Sequence, residues 1–114
     1  MSNDLDALAS NTVTGRSTMS KDELDGQLAA LGARWSIEGS DLKCTLKGPK
    51  GMARAGAAVA YALQLADEMD HHPHVVMDYP ETVMTIHTHD KKAITLIDFV
   101  WAARVERWLR ENGW

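Results

Sequence analysis

All five histidines of the chain fall between Asp67 and Asp98: His71, His72 and His74 around Pro73, then His87 and His89. Imidazole is the side chain whose unperturbed pKa lies near neutrality, so such a cluster beside Asp67, Asp70 and Asp98 can exchange protons at working pH. An elimination or a hydration needs two such groups around a bound substrate. One assists the leaving hydroxyl and the other takes a proton.

Each of these residues also has a structural reading. Neighbouring residues point in different directions, so His71 and His72 can meet one ligand only at the end of an element, where the pair could equally cap a helix. His87-Thr88-His89 places two rings on one strand face, as a zinc site would. No suitable Cys partner and no Glu within a recognised metal motif accompanies them, and the expectation is no metal. His74 and His87 read as rim residues. Asp98 is also the third helical residue of a Thr95-x-x-Asp98 capping box. The tryptophans Trp35, Trp101, Trp108 and Trp114 read as core or interface. No glycine-rich phosphate loop, nucleophile elbow or Cys-His nucleophile arrangement is present.

The elements that must position the histidines follow from the pattern. Residues 1–18 are polar with few apolar anchors and read as a flexible arm, leaving 19–114 as the domain. Ser20-Lys21-Asp22-Glu23 is a capping box, Leu24, Leu28 and Leu31 mark one helical face, and Gly32 ends that helix. Residues 34–38 and the alternating Leu42, Cys44 and Leu46, joined by Gly39-Ser40-Asp41, predict a β-hairpin that stops at Gly48-Pro49. Met52 to Met69 predicts a long helix rich in alanine. Pro73 disfavours helical geometry at the residue before it, so this helix should end at about His71 or His72.

Residues 74–79 and 82–89 predict two further strands around Pro80-Glu81. On the second, Met84, Ile86 and Thr88 share one face, while Val83, Thr85, His87 and His89 share the other. A last helix runs from Thr95 to about Glu111. Its first half is apolar almost all round, which suggests a partner subunit. The order α-β-β-α-β-β-α predicts an α+β domain: a four-stranded antiparallel sheet with helices packed on one face.

With 114 residues, 45% hydrophobic and 25% charged, the chain has the composition of a single globular domain. A net charge of −4 gives no general attraction to phosphate backbones, so direct nucleic-acid binding is not expected. The single cysteine, Cys44, cannot form an internal disulfide, and no basic leader precedes an apolar stretch; the expectation is a cytoplasmic protein with no membrane span.

The run Asp67-x-x-x-His71-His72-Pro73, then Tyr79, Thr88-His89, and Asp98 with Ala102 four residues on, resembles the signature of the pterin-4a-carbinolamine dehydratases. The resemblance extends over roughly residues 20–110. It implies that His71, His72 and His89 line a pterin site and that Asp98 fixes a neighbouring group. It also implies dehydration of 4a-hydroxytetrahydropterin to quinonoid dihydropterin, in tetrahydrobiopterin recycling, with no metal or organic cofactor. By that resemblance His71 and His89 are the acid/base groups and His72 orients the pterin. Asp67, Asp70, His74 and Thr88 are supporting candidates.

Family relatives assemble as dimers or tetramers, so a homodimer or homotetramer is expected. Some serve as a dimerisation cofactor of a transcription factor or as Rubisco assembly factors, which makes a non-catalytic binding protein the rival reading. The chain departs from the family pattern at Val75, Pro80 and Ala93-Ile94, positions expected at the pocket rim.

Overall fold

The Ser20 hydroxyl accepts the backbone N–H of Glu23, and the Glu23 carboxylate accepts the N–H of Ser20, so the expected capping box forms. In the computed structural model, which describes residues 2–11, 18–48 and 52–114, this box opens helix α2 (Lys21–Leu31). Ahead of it lies α1 (Ser2–Ala9). After it come β1 (Trp35–Glu38), β2 (Asp41–Lys47), α3 (Met52–Met69), β3 (His74–Asp78), β4 (Glu81–Ile86) and α4 (Leu96–Glu111). Pro49 lies outside the described residues, as does 12–17 of the expected arm.

The four strands form one antiparallel sheet in the order β1-β2-β4-β3. Strand alternation divides it into two unlike faces. Trp35, Cys44, Met84 and Val75 make one row across all four strands. Of these, Trp35, Cys44 and Met84 are buried in the core with Leu42, Leu46 and Ile86. The opposite row is Ser36, Lys43, Thr85 and His74, each exposed or half-buried. The helices cover the first face and leave the second open. The expected α+β architecture is therefore present, with one additional helix at the front.

That helix corrects the expectation of a free arm. Leu5 and Leu8 are buried at one helical spacing, and Ala9 follows them into the core against α4. Burying a leucine side chain stabilises by roughly 1.5–3 kcal/mol, so two of them suffice to dock a short helix. The helix end is also held. Arg104 of α4 donates from Nε to the carbonyl of Ala9 and from Nη2 to that of Asn11, both at 2.8 Å, satisfying acceptors that a helix C-terminus leaves open. The sparse apolar content of 1–18 hid this, because its few leucines are concentrated on one side of a single short helix.

The same contact removes the reason for assigning a partner to α4. This helix touches α1, α2 and α3. Trp101 stands edge-on to Trp35 at 6.1 Å and donates its indole N–H to the carbonyl of Ala62 on α3. Its apolar circumference is covered within one chain. Lower down, buried Glu106 accepts from the Trp35 indole at 2.8 Å and pairs with Arg34 at 2.9 Å and Arg110 at 2.7 Å. These contacts tie α4 to β1 around a fully partnered carboxylate.

Candidate active site

Helix α3 ends at Met69, earlier than Pro73 alone required, because Asp70 takes a left-handed conformation with φ 51°. The N–H of His71 then reaches the carbonyl of Ala66, and that of Asp70 the carbonyl of Asp67, the two bonds of a Schellman motif. This turn separates the adjacent histidines. His71 goes inward and is 4% exposed, whereas His72 stays in solvent.

The His71 ring presents Nε2 to Oδ1 of Asp98, a carboxylate with no solvent exposure. The other oxygen, Oδ2, accepts from the Thr88 hydroxyl at 2.9 Å and from the backbone N–H of Thr95 at 2.8 Å. The Thr95 hydroxyl in turn lies 2.7 Å from that of Thr88. Asp98 is thus both the expected helix-capping residue and the partner of a histidine. The N-terminus of α4 favours its negative charge, and its oxygens are met by the His71 ring, the Thr88 hydroxyl and the Thr95 N–H, which makes burial of the carboxylate tolerable. An acceptor-only carboxylate fixes a proton of His71 on Nε2, so Nδ1 is the nitrogen left outside this contact. Among the described residues, Thr82 Oγ1 is the one buried side-chain polar atom without a partner.

The other four histidines share a cleft of about 530 Å³ on the open face of the sheet, lined by Asp41, His72, Pro73, His74, Thr85, Ile86, His87 and His89. That volume is in the range of small-molecule sites. His74 and Thr85 are cross-strand partners in the exposed row. His72 Nε2 lies 2.9 Å from Asp67 Oδ1, a pair open to solvent on both sides. Thr88 is buried behind the cleft, so of the supporting candidates only His74 lines it; Asp67 flanks His72, and Asp70 serves as the helix exit. Val75, Pro80, Ala93 and Ile94 do not line the cleft, which corrects their expected place at its rim.

Two cleft residues were not assigned a functional part from the sequence. Asp41 read as turn chemistry and His87 as rim, yet Asp41 Oδ1 lies 2.8 Å from Nδ1 of His87. The signal was the register of β2 on β4, whose final pair, Leu42 with Ile86, makes Asp41 and His87 the next rung. Cys44 sits on the opposite, buried face, where burial pushes its thiol up to about 12, so it supplies no nucleophile. Among the described residues, no three His, Cys, Asp or Glu side chains are grouped to share a metal ion, and no helix is long and apolar enough to cross a membrane. A second cleft of about 400 Å³, bounded by Asp4, Asn11 and Gln27, contains no histidine.

Residues 17–108 match the family described as Pterin 4 alpha carbinolamine dehydratase. The chain belongs to this family. A Streptomyces avermitilis protein named "Putative pterin-4-alpha-carbinolamine dehydratase" is 33% identical over 89 residues, 77% of this chain and 86% of the relative. A Sulfolobus acidocaldarius protein of the same name is 34% identical over 73 residues, 64% of this chain and 79% of the relative. The crystal structure of a Brucella melitensis protein described as a transcriptional coactivator/pterin dehydratase superimposes with a TM-score of 0.72 at 25% identity. That match covers 80% of this chain and 97% of the Brucella chain. In this pterin carbinolamine dehydratase family member, His72, Pro73 and His74 line the cleft together with His89.

Proposed function

We propose that this family member is a cytoplasmic 4a-hydroxytetrahydrobiopterin dehydratase acting by histidine acid/base catalysis in tetrahydrobiopterin recycling. The observation that carries the reading is a small-molecule-sized cleft bounded by both His72 and His89, backed by the His71–Asp98 pair. In the reaction the C4a–O bond breaks as the leaving oxygen takes a proton, N5 gives up its own, and the C4a–N5 double bond of the quinonoid product forms with release of water. Acid/base side chains are the only catalysts this step requires.

His72 and His89 are the members of the trio that face the cleft, and we assign them direct contact with the pterin. His71 does not line the cleft. In place of equal partnership with His89, it acts from behind His72, with Nε2 clamped by Asp98 and Nδ1 as its exchanging atom. Thr88 orients Asp98, and His74 borders the substrate.

The test is dehydration of freshly generated 4a-hydroxytetrahydropterin, followed by ultraviolet absorbance, for the native protein and for His71→Ala, His72→Ala and His89→Ala. Acceleration by the native protein and a loss of roughly 10²-fold or more in His72→Ala and His89→Ala is expected. No acceleration by folded native protein overturns the reading.

A second reading, a binding or assembly role on the same scaffold, is favoured by the edge strand β3, which exposes Val76 and Met77 and is followed by exposed Tyr79. The same edge supports the proposed homodimer or homotetramer. Sedimentation showing only monomer at micromolar concentration removes that proposal.

A further inference from the structure

Besides His71–Asp98 and His72–Asp67, the structure holds a third histidine–carboxylate pair, and both of its members line the cleft. Asp41, the first residue of β2, and His87, just past the end of β4, face each other across the outer side of the sheet at 2.8 Å. The carboxylate accepts the Nδ1 proton of His87, which sets the tautomer and leaves Nε2 as an acceptor. The His87 ring meets the His89 ring with centroids 4.5 Å apart and planes 70° apart, an edge-to-face contact. Thr88, the residue between them in the chain, is immobilised, its hydroxyl held by Asp98 and its N–H by the carbonyl of Ala93. The backbone from which both rings project is therefore fixed from behind. The remaining freedom of His89 is rotation of its own side chain, and His87 stands against that rotation.

We infer that the Asp41–His87 pair is a positioning device for His89, holding its ring orientation in the cleft. The other titratable groups around the pair are His89, His72 and His74 in the cleft, and Lys92 from the loop after His89, which borders Asp41 and His87 in an adjoining hollow. Neither Asp41 nor His87 needs to touch the reacting atoms for this purpose. The kinetic consequence rests on the dehydratase reading; the conformational one does not.

The experiment uses the full chain with ¹⁵N-labelled histidine and long-range nitrogen–proton correlation spectra across pH, for the native protein, His87→Gln and Asp41→Asn. The native spectrum should show His87 protonated on Nδ1. In both variants the His89 midpoint should move by at least about 0.3 pH unit while that of His72 stays in place. In the dehydration assay, both variants should lower kcat by about tenfold with KM changed less than about twofold, and displace the pH profile in the same sense as the His89 midpoint. Unchanged His89 resonances in both variants overturn the inference, whatever the kinetics. A native protein without dehydratase activity overturns the proposed function, while the spectra still decide whether His87 positions His89.

Discussion

The Thr88 hydroxyl donates to the one oxygen of Asp98 that the His71 ring leaves free. A residue on the sheet side and a residue at the helix exit thereby share a single buried carboxylate. The position of α4 fixes the carboxylate, and the carboxylate fixes both ends of the histidine site. Conversion to Asp98→Asn keeps the shape but turns one acceptor into a donor facing a donor. A loss of about 2–3 kcal/mol in urea unfolding is expected, with dehydration slowed by more than about tenfold. Thr88→Val should lose less stability, about 1 kcal/mol, because Asp98 keeps two partners. Wild-type stability in Asp98→Asn contradicts the shared-carboxylate account.

Cys44 gives a prediction at alkaline pH. Burial pushes its thiol up to about 12, outweighing the opposing attraction of Arg34, so the folded state prefers the neutral form. This contribution is complete below the thiol's unfolded pKa, roughly 8.5, and is lost as pH rises from there towards 12. Native protein should therefore lose stability over that range more steeply than Cys44→Ala, as read by denaturant midpoints. At pH 8 iodoacetamide should label it only as fast as the chain opens. Rapid labelling of the folded protein sinks this account of the site.

Much of this arrangement was legible beforehand, and the reason is local chemistry. The capping box at Ser20, the alternation of Leu42, Cys44 and Leu46, and the two faces of β4 depend on neighbours in sequence, so pattern alone identified them. Asp98 was read both as a cap and as a site residue, and the fold makes it both. What stayed hidden depends on pairing between distant segments. The Asp41–His87 rung requires the register of β2 on β4, which joins two separate hairpins, and neither hairpin encodes it. The exit of α3 at Met69 turns on Asp70 accepting a left-handed conformation, which Asp tolerates better than most residues but does not announce.

The docking of α1 is testable by truncating its buried side chains. Leu8 is 6% exposed and Leu5 2%. Leu8→Ala should cost about 2 kcal/mol, at the low end for buried leucines because a short terminal helix can readjust. An exposed control, Asp4→Ala, should leave the denaturant midpoint in place. Equal midpoints for both variants would mean that the helix is not docked in solution.

Glu106 offers the sharpest stability test away from the cleft. Its carboxylate is 2% exposed and bonded to Trp35, Arg34 and Arg110. Glu106→Ala leaves an indole N–H and two guanidinium groups without their acceptor, and a loss of about 3 kcal/mol in unfolding free energy is expected. The two arginines are partly exposed and recover some hydration, which keeps the cost from running higher. A change below about 0.5 kcal/mol would show that the network is incidental.

The cleft lies on the sheet face that the helices do not cover, and this separates two kinds of mutational constraint. A substitution at His72, His74, Thr85 or His89 alters the chemistry offered to a ligand while leaving the packed side intact. Met84, one position from Thr85 on the same strand, is under the opposite pressure. A scaffold divided in this way can exchange its ligand, or lose catalysis and keep a binding role, by changes to one side of a few strands. Asp98 and Thr88 stand on the packed side behind the cleft, yet their bonds hold the elements that carry the histidines, so a change at either is felt on both sides.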